Sequence, residues 1–286
     1  MESSFFNSKH TPSWHMSRLW LNINMKHLDL TYLNWAKAKA SSGSAGSFLK
    51  SYYTNTYYKL SNYDQIKGIV GHESVNEYVV SRLLDILEID HVVYELVNAD
   101  IVINGNIYNT YVCMCNNFKN NDESKIALDT FYSVYKSENI SPLKMLKNMG
   151  FSDYVDNIFL VDYLIMNRDR HGANIEIIRN TKTNEIKLSP LFDHGLSLFF
   201  NIKDFKELEN VDYLQDKRVQ SYLGTNSLFD NLKLITNYRK INKLTSEDKN
   251  YIFSHLYEVM PQIWIDSMFN LINKRIEYYE NTFIKK

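Results

Sequence analysis

The chain has 286 residues, 44% of them hydrophobic and rich in Tyr and Phe, with a net charge of −1. That is ample material for a packed globular core, as one two-lobed domain or two small ones. The near-neutral balance gives no whole-chain case for nucleic-acid binding, and no apolar run reaches the length needed to span a bilayer. The two cysteines, Cys113 and Cys115, stand two apart in an expected strand and point the same way. They bridge poorly and have no further ligands spaced for a metal, which leaves them as core or hinge residues.

Met1–His10 lacks the basic-then-apolar pattern of a secretory leader, so an intracellular, reducing, cytoplasmic setting is expected. Residues 1–30 say little beyond Trp14, Leu19, Trp20 and Leu21, which suggest a packing segment. Ser41–Ser47 is a small-residue loop containing Gly43, Ser44 and Gly46, and a strand-like run, Tyr52–Leu60, follows with Lys59 near its end. Small residues let backbone N–H groups approach a phosphate closely, and a lysine on the next strand then pairs with the phosphates. The same stretch also reads as a Ser/Gly linker before an ordinary strand.

Over Gly68–Leu87, Val75, Val79, Leu83, Leu84 and Leu87 recur at helical spacing, with the start at Glu73 or Ser74. Glu73 and Glu77 lie one turn apart on nearly one face. Either would orient a strand lysine, and a solvated acidic face is the plain alternative. Residues 90–118 hold strands: His91–Val97, then Asp100–Tyr108 with an Asn104-Gly105 hairpin signal, then Thr110–Phe118. The polar stretch 119–125 reads as a linker. Beyond it the chain is mostly helical, with a helix over Asp153–Met166 and Ser152 as its expected N-cap.

The chain is organised around residues 160–198. Asp169 is followed five places on by Asn174. Two apolar runs, Ile175–Ile178 and Ile186–Leu191, flank the turn-like Asn180–Asn184 and predict a hairpin. Asp193-His194-Gly195 comes next, with Gly195 expected at positive φ. Loop and turn would then share one end of a small sheet. Phosphoryl transfer needs that arrangement: one Asp to orient the attacking hydroxyl, and an Asn and a second Asp to hold Mg²⁺ against the phosphates. Further on, 199–230 shows no clean period. Thr245-Ser246-Glu247-Asp248 has a capping-box pattern, and a helix over Gln262–Tyr279 follows Pro261 with a core stripe of Ile265, Met268, Phe269, Ile272 and Ile276.

Asn167-Arg168-Asp169-Arg170-His171, Asn174 and Phe192-Asp193-His194-Gly195 resemble the words of the HipA-like kinases, and also those of phosphatidylinositol 3/4-kinases. The Gly/Ser loop before the lysine strand and the Asn76-Glu77 pair are similar to HipA-like sequences. The resemblance implies an α+β, two-lobed protein-kinase-like fold: a small antiparallel β-rich N-lobe at 1–118 and a mostly helical C-lobe at 119–286. It implies ATP and Mg²⁺ as cofactors and a protein hydroxyl as acceptor. Asp169 would be catalytic, and Asn174 and Asp193 would bind metal. Lys59, oriented by Glu77, Gly43, Ser44 and Gly46 would serve the phosphates, and the backbone near Cys115 the adenine. It further implies self-phosphorylation within the Gly/Ser loop. His171 is expected to be structural, since hard Mg²⁺ prefers oxygen. The large N-terminal domain of longer HipA proteins does not fit in about 40 residues, so no antitoxin or operator DNA is inferred. Lipid-kinase chemistry would want a basic segment after D-x-G, whereas Asn201–Asp216 is mixed in charge. A non-catalytic pseudokinase is the remaining alternative, and the intact set Lys59, Asp169, Asn174 and Asp193 argues against it.

Overall fold

The computed structural model describes residues 25–37, 48–136 and 139–285. The first part comprises β1 (His27–Asp29), β2 (Ala36–Lys37), β3 (Leu49–Tyr53), β4 (Thr56–Leu60), β5 (Tyr63–Asp64), β6 (Gly68–Ile69), helix α1 (Glu73–Ile86), β7 (Glu95–Ile103) and β8 (Asn106–Asn116). Its main sheet runs in the order β1-β7-β8-β4-β3-β2. The β7–β8 hairpin turns at Asn104 and Gly105, both at positive φ, as the Asn-Gly pair predicts.

Three expectations are corrected here. The sheet is mixed rather than antiparallel, because β1 runs parallel to β7. A parallel pair needs a long crossover rather than a tight turn, so no local signal marks it. The single strand expected over Tyr52–Leu60 is instead the end of β3, a turn and all of β4, with the chain reversing at Thr54 and Asn55 at φ of 46° and 65°. Asn tolerates the left-handed region well, which is what such a turn demands. His91–Val97 is not a strand throughout: β7 starts at Glu95, and His91 forms only an isolated bridge to Leu191.

The chain continues with β9 (Glu123–Ala127), α2 (Leu128–Tyr135), α3 (Pro142–Asn148), α4 (Ser152–Leu164), β10 (Asp169–Arg170), β11 (Glu176–Asn180), β12 (Ile186–Leu188), α5 (Phe205–Glu209), β13 (Gln220–Ser221), α6 (Leu228–Leu232), α7 (Ser246–Ile252) and α8 (Gln262–Tyr279). The β11–β12 hairpin forms as predicted, and β9 joins its outer side. The polar linker is therefore shorter than 119–125, since Glu123 already pairs with Asn180. Ser152 is the first helical residue of α4 rather than its cap, and Phe151 precedes it without a side-chain cap. The capping box at Thr245 and Asp248 is present, and Pro261 stands as the N-cap of α8.

One hydrophobic core runs from α1 through β8 into the helices α4 and α8, and a second lies under the main sheet around Leu60, Ala99, Ile101 and Val112. Val79, Leu83 and Leu84 of α1 are fully buried. Burial of each such side chain is worth about 1.5–3 kcal/mol. Helix α1 therefore lies between the sheet and the helical part, and its polar residues face the chemistry described next.

Candidate active site

Lys59 on β4 is the centre of the site. Its Nζ donates to Glu77 Oε1 at 2.7 Å, to the Tyr94 hydroxyl at 2.9 Å and to Asp193 Oδ1 at 3.1 Å. Burial works against the lysine's charge, but Asp193 and Glu77 outweigh it and hold its pKa well above the usual value. Asp193 is pulled far the other way: Lys59 and Lys50 overcome its burial and keep it ionised. Of the two candidate glutamates, Glu77 makes the pair. Glu73 instead accepts a hydrogen bond from Asn62 N at 3.0 Å.

The turn carrying Asp193 is held by α1. His194 N donates to Glu77 Oε2 at 2.8 Å. Asn76 Nδ2 donates to the carbonyls of Gly195 at 3.0 Å and Ser197 at 2.9 Å. The left-handed residue of the turn is Asp193, with φ 61°, and not Gly195 as expected. Gly195 answers a different demand: a Cβ there would sit 3.3 Å from Glu73 Cβ, a tight contact with α1 that a side chain could make only if the helix gave by a few tenths of an ångström. His194 is buried beside this turn, and burial drives its pKa well down, so it is neutral.

The loop from Asp169 to Asn174 is fixed from below. Arg170, almost fully buried, pairs with buried Asp162 of α4 through Nη2–Oδ1 at 2.8 Å and Nε–Oδ2 at 3.1 Å. Its Nη1 donates to Asn174 O at 3.3 Å and Phe192 O at 2.9 Å, tying the loop to the segment that delivers Asp193. Asn174 Nδ2 donates to Asp169 O at 2.9 Å, which turns the amide oxygen to the opposite side. The Asp169 carboxylate lies 3.8 Å from His171 Nε2. Burial raises its pKa, Asp193 adds to the rise, and His171 opposes it. Gly172 is needed where the loop touches α2, because a Cβ there would lie 2.6 Å from Asp129 Cβ.

Asp193 and Asn174 present one carboxylate and one amide oxygen, the donor type a hard cation such as Mg²⁺ takes. Among the described residues no group of three His, Cys, Asp or Glu stands together at metal-binding distance. A cation held by these two would draw its remaining ligands from phosphate and water. Asp193 itself lines a cleft together with Lys50, Lys59, Val92, Tyr94, Cys115 and Phe192, among others. Burial pushes the Cys115 thiol up to about 11, so it is an apolar wall rather than a nucleophile. Gly43, Ser44 and Gly46 lie outside the described residues.

Several residues of the site escaped the sequence reading. Lys50 and Tyr94 carry no motif. Lys125, assigned to a linker, lies over the rings of Phe118 and Tyr57 and pairs with Glu176 at 3.3 Å. Asp162 of α4 and Arg170 of the loop stand eight positions apart, and only the packing identifies them as partners.

No protein-family model matches the chain. Among curated proteins it is similar to the serine/threonine-protein kinase CtkA of Helicobacter pylori, with 23% identity over 270 residues that cover 87% of this chain and 79% of that protein. Among solved structures its fold is similar to that of the H. pylori proinflammatory kinase CtkA, with a TM-score of 0.56, 17% identity, and coverage of 89% of this chain and 97% of the other. A weaker likeness, with a TM-score of 0.45 and 14% identity, is to the HipA, HipB and operator DNA complex of Shewanella oneidensis, covering 86% of this chain and 66% of that one.

Proposed function

We propose that this chain, which belongs with the HipA-like serine/threonine kinases, transfers the γ-phosphate of ATP to a serine or threonine hydroxyl of a protein. The observation that carries the reading is the closed Lys59–Glu77–Asp193 set, with Asp169 and Asn174 tied to it through Arg170. On this reading the described residues up to 118 make up the smaller, β-rich lobe and those from 119 to 285 the helical lobe, with the cleft lined from both. The two buried free thiols, Cys113 and Cys115, suit a reducing cytoplasmic setting.

MgATP, when bound, supplies the phosphoryl group and the charge that offsets it. Every other role falls to the chain. Asp193 and Asn174 hold the metal. Lys59, kept in place by Glu77, grips the phosphates, and the backbone near Cys115 meets the adenine. Asp169 orients the acceptor hydroxyl and takes its proton, a task helped by the burial that raises its pKa. Phosphate contacts from Gly43, Ser44 and Gly46 remain part of the proposal on the strength of their small size.

The deciding experiment incubates the purified chain with γ-labelled ATP, Mg²⁺ and cell extract, with Asp169→Ala as control. Label on protein serine or threonine, absent in the control, is the expected result. Label on inositol lipid instead would make it a lipid kinase. Mg²⁺-dependent ATP binding with no transfer to any acceptor would make it a nucleotide-binding module.

A further inference from the structure

Lys50 stands on β3 directly across from Lys59 on β4. Residues directly opposite on adjacent strands share a face of the sheet, and like charges placed so repel. Yet Lys59 and Lys50 converge on one carboxylate: Lys59 on Asp193 Oδ1 at 3.1 Å, Lys50 on Asp193 Oδ2 at 3.8 Å. Lys59 has a second carboxylate in Glu77, whereas the ion pair of Lys50 is with Asp193. The Lys50 side chain is 28% exposed and lines the cleft.

A metal bound to Asp193 changes that balance. Once a divalent cation takes the carboxylate, Lys50 faces two positive centres, the metal and Lys59, with its own counter-charge withdrawn. Glu176 of the same lining is already paired with Lys125 at 3.3 Å, so an anion entering the cleft is the counter-charge that best restores the balance. We propose that Lys50 is a second phosphate-binding lysine. It would contact the terminal phosphates of the nucleotide opposite Lys59 and exchange Asp193 for phosphate when the metal enters. The inference rests on the kinase reading above and adds a residue to it.

The test is equilibrium binding of ATP, ADP and adenosine, each with Mg²⁺, to the wild-type chain, Lys50→Met and Lys50→Arg. Lys50→Met is expected to weaken ATP by about tenfold to a hundredfold, the loss of one charge-assisted contact. ADP should weaken less and adenosine not at all, and Lys50→Arg should restore most of the ATP affinity. Three results overturn the inference while leaving the kinase reading intact: ATP bound by Lys50→Met as tightly as by wild type, equal weakening of ATP and adenosine, or no rescue by Arg. Failure of the wild-type chain to bind ATP would instead remove the kinase reading itself, and this inference with it.

Discussion

Removing the carboxylate of Asp162 isolates a charge in the interior. Arg170 is 1% exposed, and Asp162 accepts three of its contacts, at 3.2, 3.1 and 2.8 Å, as well as one from Asn167 Nδ2 at 2.8 Å. Breaking a buried pair from one side costs about 3–5 kcal/mol because the other charge stays behind. Whole domains are stable by only about 5–15 kcal/mol. Asp162→Ala should therefore lower the urea midpoint steeply at an unchanged slope, followed by far-ultraviolet circular dichroism. The double variant Asp162→Leu, Arg170→Met removes both charges at similar volume and should recover much of that stability. Phosphoryl transfer should not return with it, because Nη1 of Arg170 no longer joins Asn174 O to Phe192 O. A loss below about 1 kcal/mol in Asp162→Ala, within the range of a surface pair, would refute the burial argument. Recovery of transfer in the double variant would refute the coupling of loop to metal turn.

Asp193→Asn should fold normally but lose most of the thermal stabilisation that MgATP gives the wild type, about 2.7 kcal/mol at a hundred times the dissociation constant; an unchanged shift would put the metal elsewhere. Asp169→Ala should cut turnover by about 10²–10⁴ while sparing ATP affinity, and near wild-type turnover would sink the assignment. Since the pKa of Asp169 is raised and its carboxylate is the working form, kcat/KM should fall as pH drops through a value above the ordinary aspartate pKa of about 3.9. An acid limb at or below that value would contradict it. Mass spectrometry of Ser41–Lys50 after incubation with MgATP should find phosphate on Ser41, Ser42, Ser44 or Ser47 and none in Asp169→Ala. A phosphoserine's charge of about −1.5 to −2 there should weaken ATP binding, and an unmodified loop in an active enzyme would retire the idea.

Legibility from sequence followed the range of the interactions. The D-x4-N, the hairpin behind it and the D-x-G are local, set by turn chemistry and period, and all were readable. Helix α1 was readable from its stripe, and Glu77 was preferred over Glu73 for its neighbour Asn76, whose clamp on Gly195 and Ser197 only the packing reveals. What could not be read depends on partners far off in the chain. The parallel β1–β7 pair joins residues about seventy positions apart, and Lys50 meets Asp193 only because the turn at Thr54-Asn55 folds β3 back along β4. That turn was missed because its residues sit inside an aromatic run that reads as continuous strand. Gly195 was expected in the turn for its freedom of φ, which the structure does not use there; a sequence displays that freedom and conceals what lies 3.3 Å from the missing Cβ.

Asn76 and Glu77 are consecutive on α1, and consecutive helical residues project about 100° apart. Both nevertheless grip the same turn, at Gly195 and Ser197 on one side and His194 on the other. The helix is thus keyed at two angles and cannot roll without shearing one grip, nor swing outward without releasing both together with Lys59. An off state reached by moving this helix would forfeit three buried hydrogen bonds, at about 0.5–1.5 kcal/mol each, before the ion pair is counted. Helix α1 and the Asp193 turn are tied as one part, and the economical place to restrain such an enzyme is the mouth of its cleft.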